Sequence, residues 1–315
     1  MDGRRPPSMT RPVPQTDEFW TLPTADFERG ERALWWSVNP EGHLGVILVH
    51  QRLLTPSQYV RGWVGLSPRL PFDATLVIVT DRGTRRFSLS GIDFQPRHLV
   101  LLARGGFVLT GSVWNEKTRS GHPTAAVFST TGEGRVLEPY GLGNDLSAVI
   151  ADPADRLWVA YGDEGMFGQK PWSQPALAGW DLEGRRIWGS DGRVSDVFNG
   201  TSAATEGDQV WLMWRGARAD HTARINPSTG EVSSYPVLID NCDGVAIRGT
   251  HALFSARDHN EPSLTLIRAR RWEGVWVETD SYHLAMPGRV VLSCAQGRDG
   301  TLWIRAGDTW IRAYV

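Results

Sequence analysis

Short apolar runs separated by polar turns repeat along this chain. The segment 143–165, GNDLSAVIADPADRLWVAYGDEG, contains an apolar run, an Asp-Pro-Ala-Asp turn and a second apolar run. Two such runs around a tight turn predict a β-hairpin. The pattern recurs in segments that begin at Phe198, Asp243 and Val290. In three of the copies the second run carries a tryptophan at the same place: Trp158, Trp211 and Trp303.

The spacing of these repeats predicts the fold. Copies begin about 50 residues apart, which is the length of one four-stranded blade of a β-propeller. The whole chain divides into six copies, so we expect an all-β, six-bladed propeller with four-stranded antiparallel blades. The last copy has three strands, and an N-terminal strand at 19–22 is expected to close it. We expect one propeller domain over 19–315 and a disordered, proline-rich leader over 1–18.

The composition agrees with this fold and limits the classes of partner. Fifteen tryptophans and 34 glycines in 315 residues suit sheets that pack through large aromatic rings and are joined by many short turns. The net charge of −2, without a basic cluster, argues against a nucleic-acid partner. No apolar run has the ~18 residues of a membrane helix. The N-terminus also lacks the apolar core of a signal peptide, so we expect a cytoplasmic protein with no membrane partner.

The two cysteines, Cys242 and Cys294, lie near the starts of predicted inner strands in neighbouring repeats. Free cysteine is among the most buried residue types, and disulfides are rare in cytosolic proteins. Two reduced, buried thiols are therefore favoured over a disulfide between them.

Polar residues precede several predicted inner strands, and in a propeller these positions converge on one mouth of the channel. They are Glu31, Asn144 with Asp145, Asn199 and Asp243. Their oxygens suit Ca²⁺, Mg²⁺ or Mn²⁺, with Zn²⁺ as a further possibility. Asp163 and Glu164 end a predicted second strand at the same mouth and could add a ligand or a general acid. Asn-Gly and Asp-Gly are also common turn dipeptides, so a purely structural role is the alternative.

These short motifs, taken in blade order, resemble those of the regucalcin and gluconolactonase family. The matching segments are GERALWW with Glu31, GND with Asn144 and Asp145, FNG with Asn199, and CDG with Asp243. The resemblance implies that Glu31, Asn199 and Asp243 bind a divalent metal ion and that Asp243 doubles as a general base. It also implies that Asn144 contacts the substrate or a water molecule. Asp145 and Glu164 complete the set of candidate substrate-binding residues.

The chain departs from the family pattern next to these motifs. Arg32 stands where the family has a small residue after the first glutamate, and Leu142 with Gly143 replaces the arginine that often precedes the Asn-Asp pair. A polar run from Thr201 follows the Asn-Gly pair. These differences bear on a sugar-acid substrate more than on the metal.

Three functions are compatible with these residues. The first is a metal-dependent hydrolase of a lactone or related small ester, with the metal activating water and Asp243 accepting its proton. The second is a non-catalytic propeller that binds a small ligand or a protein, because the fold alone does not choose between uses. The third is a propeller lyase or cyclase of a specialised metabolite. No serine-hydrolase elbow, P-loop or dinucleotide fingerprint occurs in the sequence.

Overall fold

Antiparallel strands form most of this chain. The computed structural model describes residues 13–56, 65–115, 120–130, 135–168, 171–257 and 262–315. Strands account for 61% of the residues and helices for 4%, which confirms the all-β prediction. The described helical segments are α1 (Thr24–Glu28), α2 (Asp163–Met166) and a 3-10 turn (Gln51–Leu53). None of them is long and apolar enough to cross a membrane.

The strands of the first half pair into two antiparallel sets and a small hairpin. In chain order they are β1 (Thr16–Thr21), β2 (Glu31–Val38), β3 (Leu44–His50), β4 (Leu54–Pro56), β5 (Leu66–Pro68), β6 (Phe72–Thr80), β7 (Gly83–Ile92), β8 (Gln95–Leu101), β9 (Gly106–Asn115) and β10 (Ser120–Ser129). The β2 set pairs in the order β2-β3-β6-β7, and the β8 set in the order β8-β9-β10. The hairpin β4-β5 lies in the connection between β3 and β6.

The second half repeats this arrangement. Its strands are β11 (Leu146–Ala151), β12 (Leu157–Tyr161), β13 (Leu177–Trp180), β14 (Arg186–Gly189), β15 (Asn199–Glu206), β16 (Gln209–Arg215), β17 (Asp220–Ile225), β18 (Val232–Val237), β19 (Gly244–Arg248), β20 (His251–Arg257), β21 (Ser263–Trp272), β22 (Val275–Ala285), β23 (Val290–Arg298), β24 (Thr301–Ala306) and β25 (Thr309–Tyr314). The β11, β15 and β19 sets have four strands each, paired in sequence order.

An N-terminal strand completes the β23 set, as the sequence predicted. β1 pairs antiparallel with β25, with Thr16 opposite Ala313. The strand starts at Thr16 and not at position 19, because Thr16 and Asp17 already have partners on β25. Residues 1–12 of the predicted leader lie outside the described residues.

The predicted outer strand of the β8 set, in the segment GRVLEPY, does not form a continuous strand. It is reduced to two bridges, Phe128 with Arg135 and Ala125 with Tyr140. Pro139 lies between the bridging positions and has no N–H group to donate to a ladder. The apolar pattern of the segment was therefore a weaker indicator than its proline.

The repeated tryptophans pack between the sets, as their shared strand position predicted. Trp158 is 1% exposed, Trp211 0% and Trp303 2%. Trp158 belongs to a buried cluster that also contains Leu212 and Trp214 of the β15 set. Burying a large aromatic side chain contributes roughly 1.5–3 kcal/mol, so these rings supply a large share of the contact between sheets.

The first strands of successive sets lie side by side, and we call the space between them the channel. β2 contacts β8, β11 contacts β15, and β15 and β23 both contact β19. At one end of the channel, β15 and β23 pair directly, with Ala204 opposite Gly297. A β-carbon at Gly297 would overlap the carbonyl oxygen of Val245 on β19, so only glycine permits this approach. We call this the closed end of the channel.

A buried arginine holds the closed end together. Arg298 is 3% exposed and donates from Nε to the carbonyl oxygen of Val38 at 2.8 Å. Its Nη1 donates to the carbonyl oxygen of Ala151 at 2.6 Å and to Oγ1 of Thr205 at 3.2 Å. Burial lowers the pKa of Arg298 to about 9, so the guanidinium is charged at neutral pH. One side chain of β23 therefore binds β2, β11 and β15.

Replacing Arg298 should destabilise the whole sheet arrangement. An unmade buried hydrogen bond costs ~1–3 kcal/mol, and Arg298→Met keeps the apolar stem but removes every donor. We expect its free energy of unfolding in urea to fall by roughly 3 kcal/mol. The matched control, Arg224→Met, changes an exposed arginine and should stay within about 0.5 kcal/mol of the wild type. Equal stability of the two variants would contradict this role for Arg298.

Candidate functional site

The starts of the inner strands meet at the end of the channel opposite Arg298, which we call the mouth. Ser147, near the start of β11, donates from Oγ to Oδ1 of Asn199, the first residue of β15, at 3.1 Å. His98 of β8 donates from Nε2 to the carbonyl oxygen of Leu146 at 2.8 Å. Burial lowers the pKa of His98 to about 4, so the imidazole is neutral at physiological pH. The mouth thus joins the β8, β11 and β15 sets through polar contacts.

A small cavity lies in the channel below these contacts. Its volume is about 60 Å³, enough for several water molecules. Residues of several inner strands line it: Trp36, His98, Leu99, Ser147, Ala148, Val149, Thr201, Ser202, Ala203, Ala295 and Gln296. The hydroxyls of Thr201 and Ser202 are buried, and neither has a hydrogen-bond partner among the described residues. The cavity therefore offers unused polar groups to a ligand or to water.

Asp243 is the carboxylate of the mouth with the most distinctive surroundings. It directly precedes β19 and is 9% exposed. Its N–H donates to the carbonyl oxygen of Ser255 at 2.9 Å, which fixes the turn into the strand. Nε of Arg257, at the end of β20, donates to Oδ2 of Asp243 at 2.6 Å. Oγ of Ser255 donates to Oδ1 at 3.4 Å.

The pKa of the Asp243 carboxyl is shifted towards neutral pH. Burial raises its pKa to about 6, and the favourable charge and hydrogen bond of Arg257 only partly offset this effect. Nη1 of Arg257 is itself buried and has no hydrogen-bond partner within the described part of the chain. The pair therefore combines a proton acceptor with an unused cationic donor.

The backbone beside Asp243 approaches the channel cavity, although neither Asp243 nor Arg257 is among the residues that line it. A β-carbon at Gly244 would collide with the side chain of Ala295, which lines the cavity. Cys242 and Cys294 flank the pair, and both are free and buried, which confirms the prediction of reduced thiols. Burial raises the pKa of each cysteine thiol, so neither is a thiolate nucleophile near neutral pH.

A second acid and arginine lie beside this pair in the β15 set. Asp220 is 7% exposed, and its Oδ1 lies 3.6 Å from Nε of Arg215. Burial raises the pKa of Asp220, while Arg215 acts in the opposite direction. The mouth ends of β16, β17, β19 and β20 thus hold two neighbouring acid–arginine pairs.

The remaining predicted residues occupy the mouth but have separate partners. Glu31 begins β2 opposite His50 and is partly buried. The backbone N–H of Asn144 donates to Oγ of Ser173 at 3.1 Å. Oδ2 of Asp145 accepts a hydrogen bond from the backbone N–H of Glu164 at 3.1 Å. These two predicted substrate-binding residues therefore lie in contact. Asp145 thereby holds the first turn of α2.

The described residues contain no group of three or more His, Cys, Asp or Glu side chains placed to hold a metal ion. Two of the three predicted oxygen ligands already have partners, because Asn199 accepts from Ser147 and Asp243 pairs with Arg257. A cation at this place would have to compete with a guanidinium for the Asp243 carboxylate.

The sequence interpretation missed Arg257, which donates a hydrogen bond to the Asp243 carboxylate. A signal was present, since Arg257 ends the second strand of its repeat, as the acids at 163–164 do in theirs. The acids were noticed because they match metal chemistry. His98 and Ser147 were also missed, because neither stands in a motif and their contacts join different sets.

Comparisons with solved structures agree with this architecture. Luciferin-regenerating enzyme is 11% identical and has a TM-score of 0.51, with 96% of each chain covered. KlAtg21, from its complex with the coiled-coil of AgAtg16, is 8% identical with a TM-score of 0.51 over 87% of this chain and 78% of the other. The fold is that of a β-propeller. The WD40 β-propeller domain of Doa1 gives a TM-score of 0.47 at 10% identity, over 95% and 97% of the two chains.

These similarities concern the propeller fold and no particular family. No protein-family model matches the sequence, and a search of curated proteins gives no match. The propeller fold places the starts of its inner strands around one opening, so the residues of the mouth come from several sets.

The raised pKa of Asp243 makes a prediction about stability. An acid whose pKa is higher in the folded state loses stability as pH rises from its unfolded value to its folded value. Relative to Asp243→Asn, which does not titrate, the wild type should lose roughly 2 kcal/mol between pH 4 and pH 7. Urea unfolding of both proteins at each pH measures this difference. A difference independent of pH, or one that grows in favour of the wild type, would show that the pKa is not raised.

Proposed function

We propose that this chain is a hydrolase of a lactone or a related small ester, acting at the mouth of the propeller. The observation that carries the proposal is the buried Asp243 carboxyl, with a pKa of about 6 and a 2.6 Å contact to Arg257. A general base works best when its pKa lies near the operating pH. A carboxyl poised this way beside a cavity is typical of catalytic sites.

We further propose that the antiparallel sets are six blades around one axis. Support comes from the contacts between successive first strands and from β1, which completes the β23 set. In this arrangement Asp243 belongs to the inner rim of the fifth blade. Asn199 and Ser147 belong to the rims of the fourth and third.

The proposed reaction uses groups that lie together. At neutral pH the Asp243 carboxylate accepts a proton from a water molecule, whose oxygen attacks the ester carbonyl carbon. Negative charge develops on the carbonyl oxygen, and the unused Nη1 donor of Arg257 stabilises it. When the C–O bond breaks, the leaving alkoxide takes the proton back from Asp243. The products are a carboxylic acid and an alcohol, joined in one molecule if the substrate is a lactone.

The polar groups around the cavity would position the substrate. We assign this role to Asn144, to the Ser147–Asn199 pair and to Thr201, since Ser147 and Thr201 line the cavity. Asp145 and Glu164 act less directly, through the contact that holds α2 against the mouth. The volume of about 60 Å³ favours a small reacting group.

The surroundings of Asp243 favour catalysis over a purely structural ion pair. In a structural pair the nearby cation dominates and lowers the pKa of the acid. At Asp243 burial has the larger effect and raises it. Luciferin-regenerating enzyme, which has a similar fold, is an enzyme by name, so catalysis is compatible with this architecture.

A direct test is hydrolysis of a panel of γ- and δ-lactones and p-nitrophenyl esters. We expect kcat/KM to rise with pH, to level off above a pKa of about 6, and to fall ~10²–10⁴-fold in Asp243→Asn because the proton acceptor is lost. The control, Asp240→Asn, removes an exposed acid nearby and should keep its activity. No hydrolysis by the wild type, or full activity in Asp243→Asn, would favour a binding propeller instead.

The divalent metal at Glu31, Asn199 and Asp243 stays a prediction, and the observed partners of these residues do not favour it. Arg257 already supplies positive charge to Asp243, and the chemistry above uses that guanidinium. A bound cation, where present, would polarise the carbonyl and activate water. It would have to displace Arg257 from the carboxylate.

The dependence of hydrolysis on a divalent metal distinguishes a site that uses Arg257 from the predicted metal site. We expect hydrolysis to survive dialysis against EDTA, because Arg257 provides the charge. We also expect Arg257→Gln to bind Ca²⁺ or Mn²⁺ more tightly than the wild type in calorimetric titrations, since the competing guanidinium is gone. Activity that is lost with EDTA and restored by a divalent ion would instead support the predicted metal site.

A further inference from the structure

A second, larger cavity opens at the mouth end of the β11 set, outside the channel. Its volume is about 480 Å³, within the range of ~300–1,000 Å³ that holds small ligands. Its lining comes from described residues of two connections, 166–167 and 171–176 between β12 and β13 and 190–197 between β14 and β15, and from Arg186 of β14. Its walls include Met166, Phe167, Pro175, Arg186, Val194 and Val197. We propose that this cavity binds a small amphipathic carboxylate, a molecule with an apolar body and one anionic group.

The apolar body is suggested by the walls and by the rim. Met166 is 8% exposed and Ala176 7%, so the floor is well packed. Phe167 at the rim is 70% exposed, and Phe198 beside it is 48% exposed. Their ring centroids lie 6.1 Å apart in an edge-to-face arrangement. An apolar ligand would cover aromatic surface that is otherwise left in water.

The anionic group is suggested by Arg186. It is the basic residue of the cavity lining, its side chain is exposed, and it makes no ion pair with any residue that the structure describes. Arg193 nearby is already engaged, since it donates to the carbonyl oxygens of Gly230 and Gly189. Guanidinium groups bind carboxylates through parallel hydrogen bonds, so a free one on an apolar wall selects an anionic ligand.

The acidic residue of the lining does not cancel this charge. Asp191 turns its carboxylate back over Gly189, where a β-carbon would lie 2.7 Å from Oδ2. It is not within ion-pair distance of Arg186, because none of the described salt bridges joins them. Arg186 therefore lines the cavity without an ion-pair partner among the residues that the structure describes.

The site is independent of the hydrolase proposal. The cavity lining contains none of the residues assigned to the reaction. Binding is therefore expected to be the same in Asp243→Asn as in the wild type, and this comparison keeps failure of one proposal distinct from failure of the other.

The test is calorimetric titration with naphthalene-1-carboxylate, an aromatic ring system with one carboxylate. We expect saturable binding, at least about fivefold tighter than for the neutral naphthalene-1-carboxamide, because only the acid gains a charge-assisted hydrogen bond. Arg186→Gln should weaken binding of the acid to the level of the amide. The matched control, Arg82→Gln, removes an exposed arginine on the β6–β7 turn and should bind like the wild type.

A second variant tests the cavity itself. Gln174 lines the cavity and is exposed, so Gln174→Trp should fill the space with little effect on folding. We expect it to lose binding of both naphthalene compounds while its melting temperature stays that of the wild type. The proposal is overturned if the wild type shows no saturable binding, if Arg186→Gln binds the acid as tightly as the wild type, or if folded Gln174→Trp still binds it.

Discussion

Arg298 satisfies the polar groups of several sheets at once, and the shape of the channel depends on it. Its donors reach a carbonyl of β2, a carbonyl of β11 and a hydroxyl of β15. A buried charge is costly unless its hydrogen bonds are made. The convergence of β15, β19 and β23 beside Gly297 places these acceptors within reach. One end of the channel is therefore closed by backbone contacts, and the other end is left for chemistry.

The arginines at the mouth have different partners from the arginine at the closed end. At the closed end the guanidinium is matched mainly by carbonyl dipoles, and none of the described acids forms an ion pair with it. At the mouth, Arg257 and Arg215 face the acids Asp243 and Asp220, yet burial keeps the pKa values of both acids above their ordinary value. A buried acid whose negative charge is only partly offset by an arginine contributes little to stability. Its raised pKa suits it to accept a proton.

Local patterns predicted the sheets well but the site only in part. The repeated strand–turn–strand pattern predicted the buried positions of Trp158 and its equivalents, because the alternation of apolar and polar residues and the turn residues act within one hairpin. Contacts between sets depend on how far side chains reach across the channel, which no local pattern records. Arg298 follows Gly297 in a sequence that resembles an ordinary turn, and Arg257 ends an unremarkable strand. Likewise Pro139 weakened an outer strand that hydrophobicity alone favoured. The polar residues before the inner strands could be picked out from their positions in the repeats, whereas their partners were not foreseen.

The central claim is that Asp243 is a buried acid whose pKa lies near neutral pH, and that it contacts an arginine with an unused N–H donor. The most direct measurement is the pKa of this one carboxyl, from a pH titration of the carboxyl carbon in ¹³C-aspartate-labelled protein, assigned by its absence in Asp243→Asn. The account predicts a midpoint of about 6. A midpoint below the ordinary value of about 4 would mean that Arg257 dominates, and that the pair is a structural ion pair and not a catalytic one.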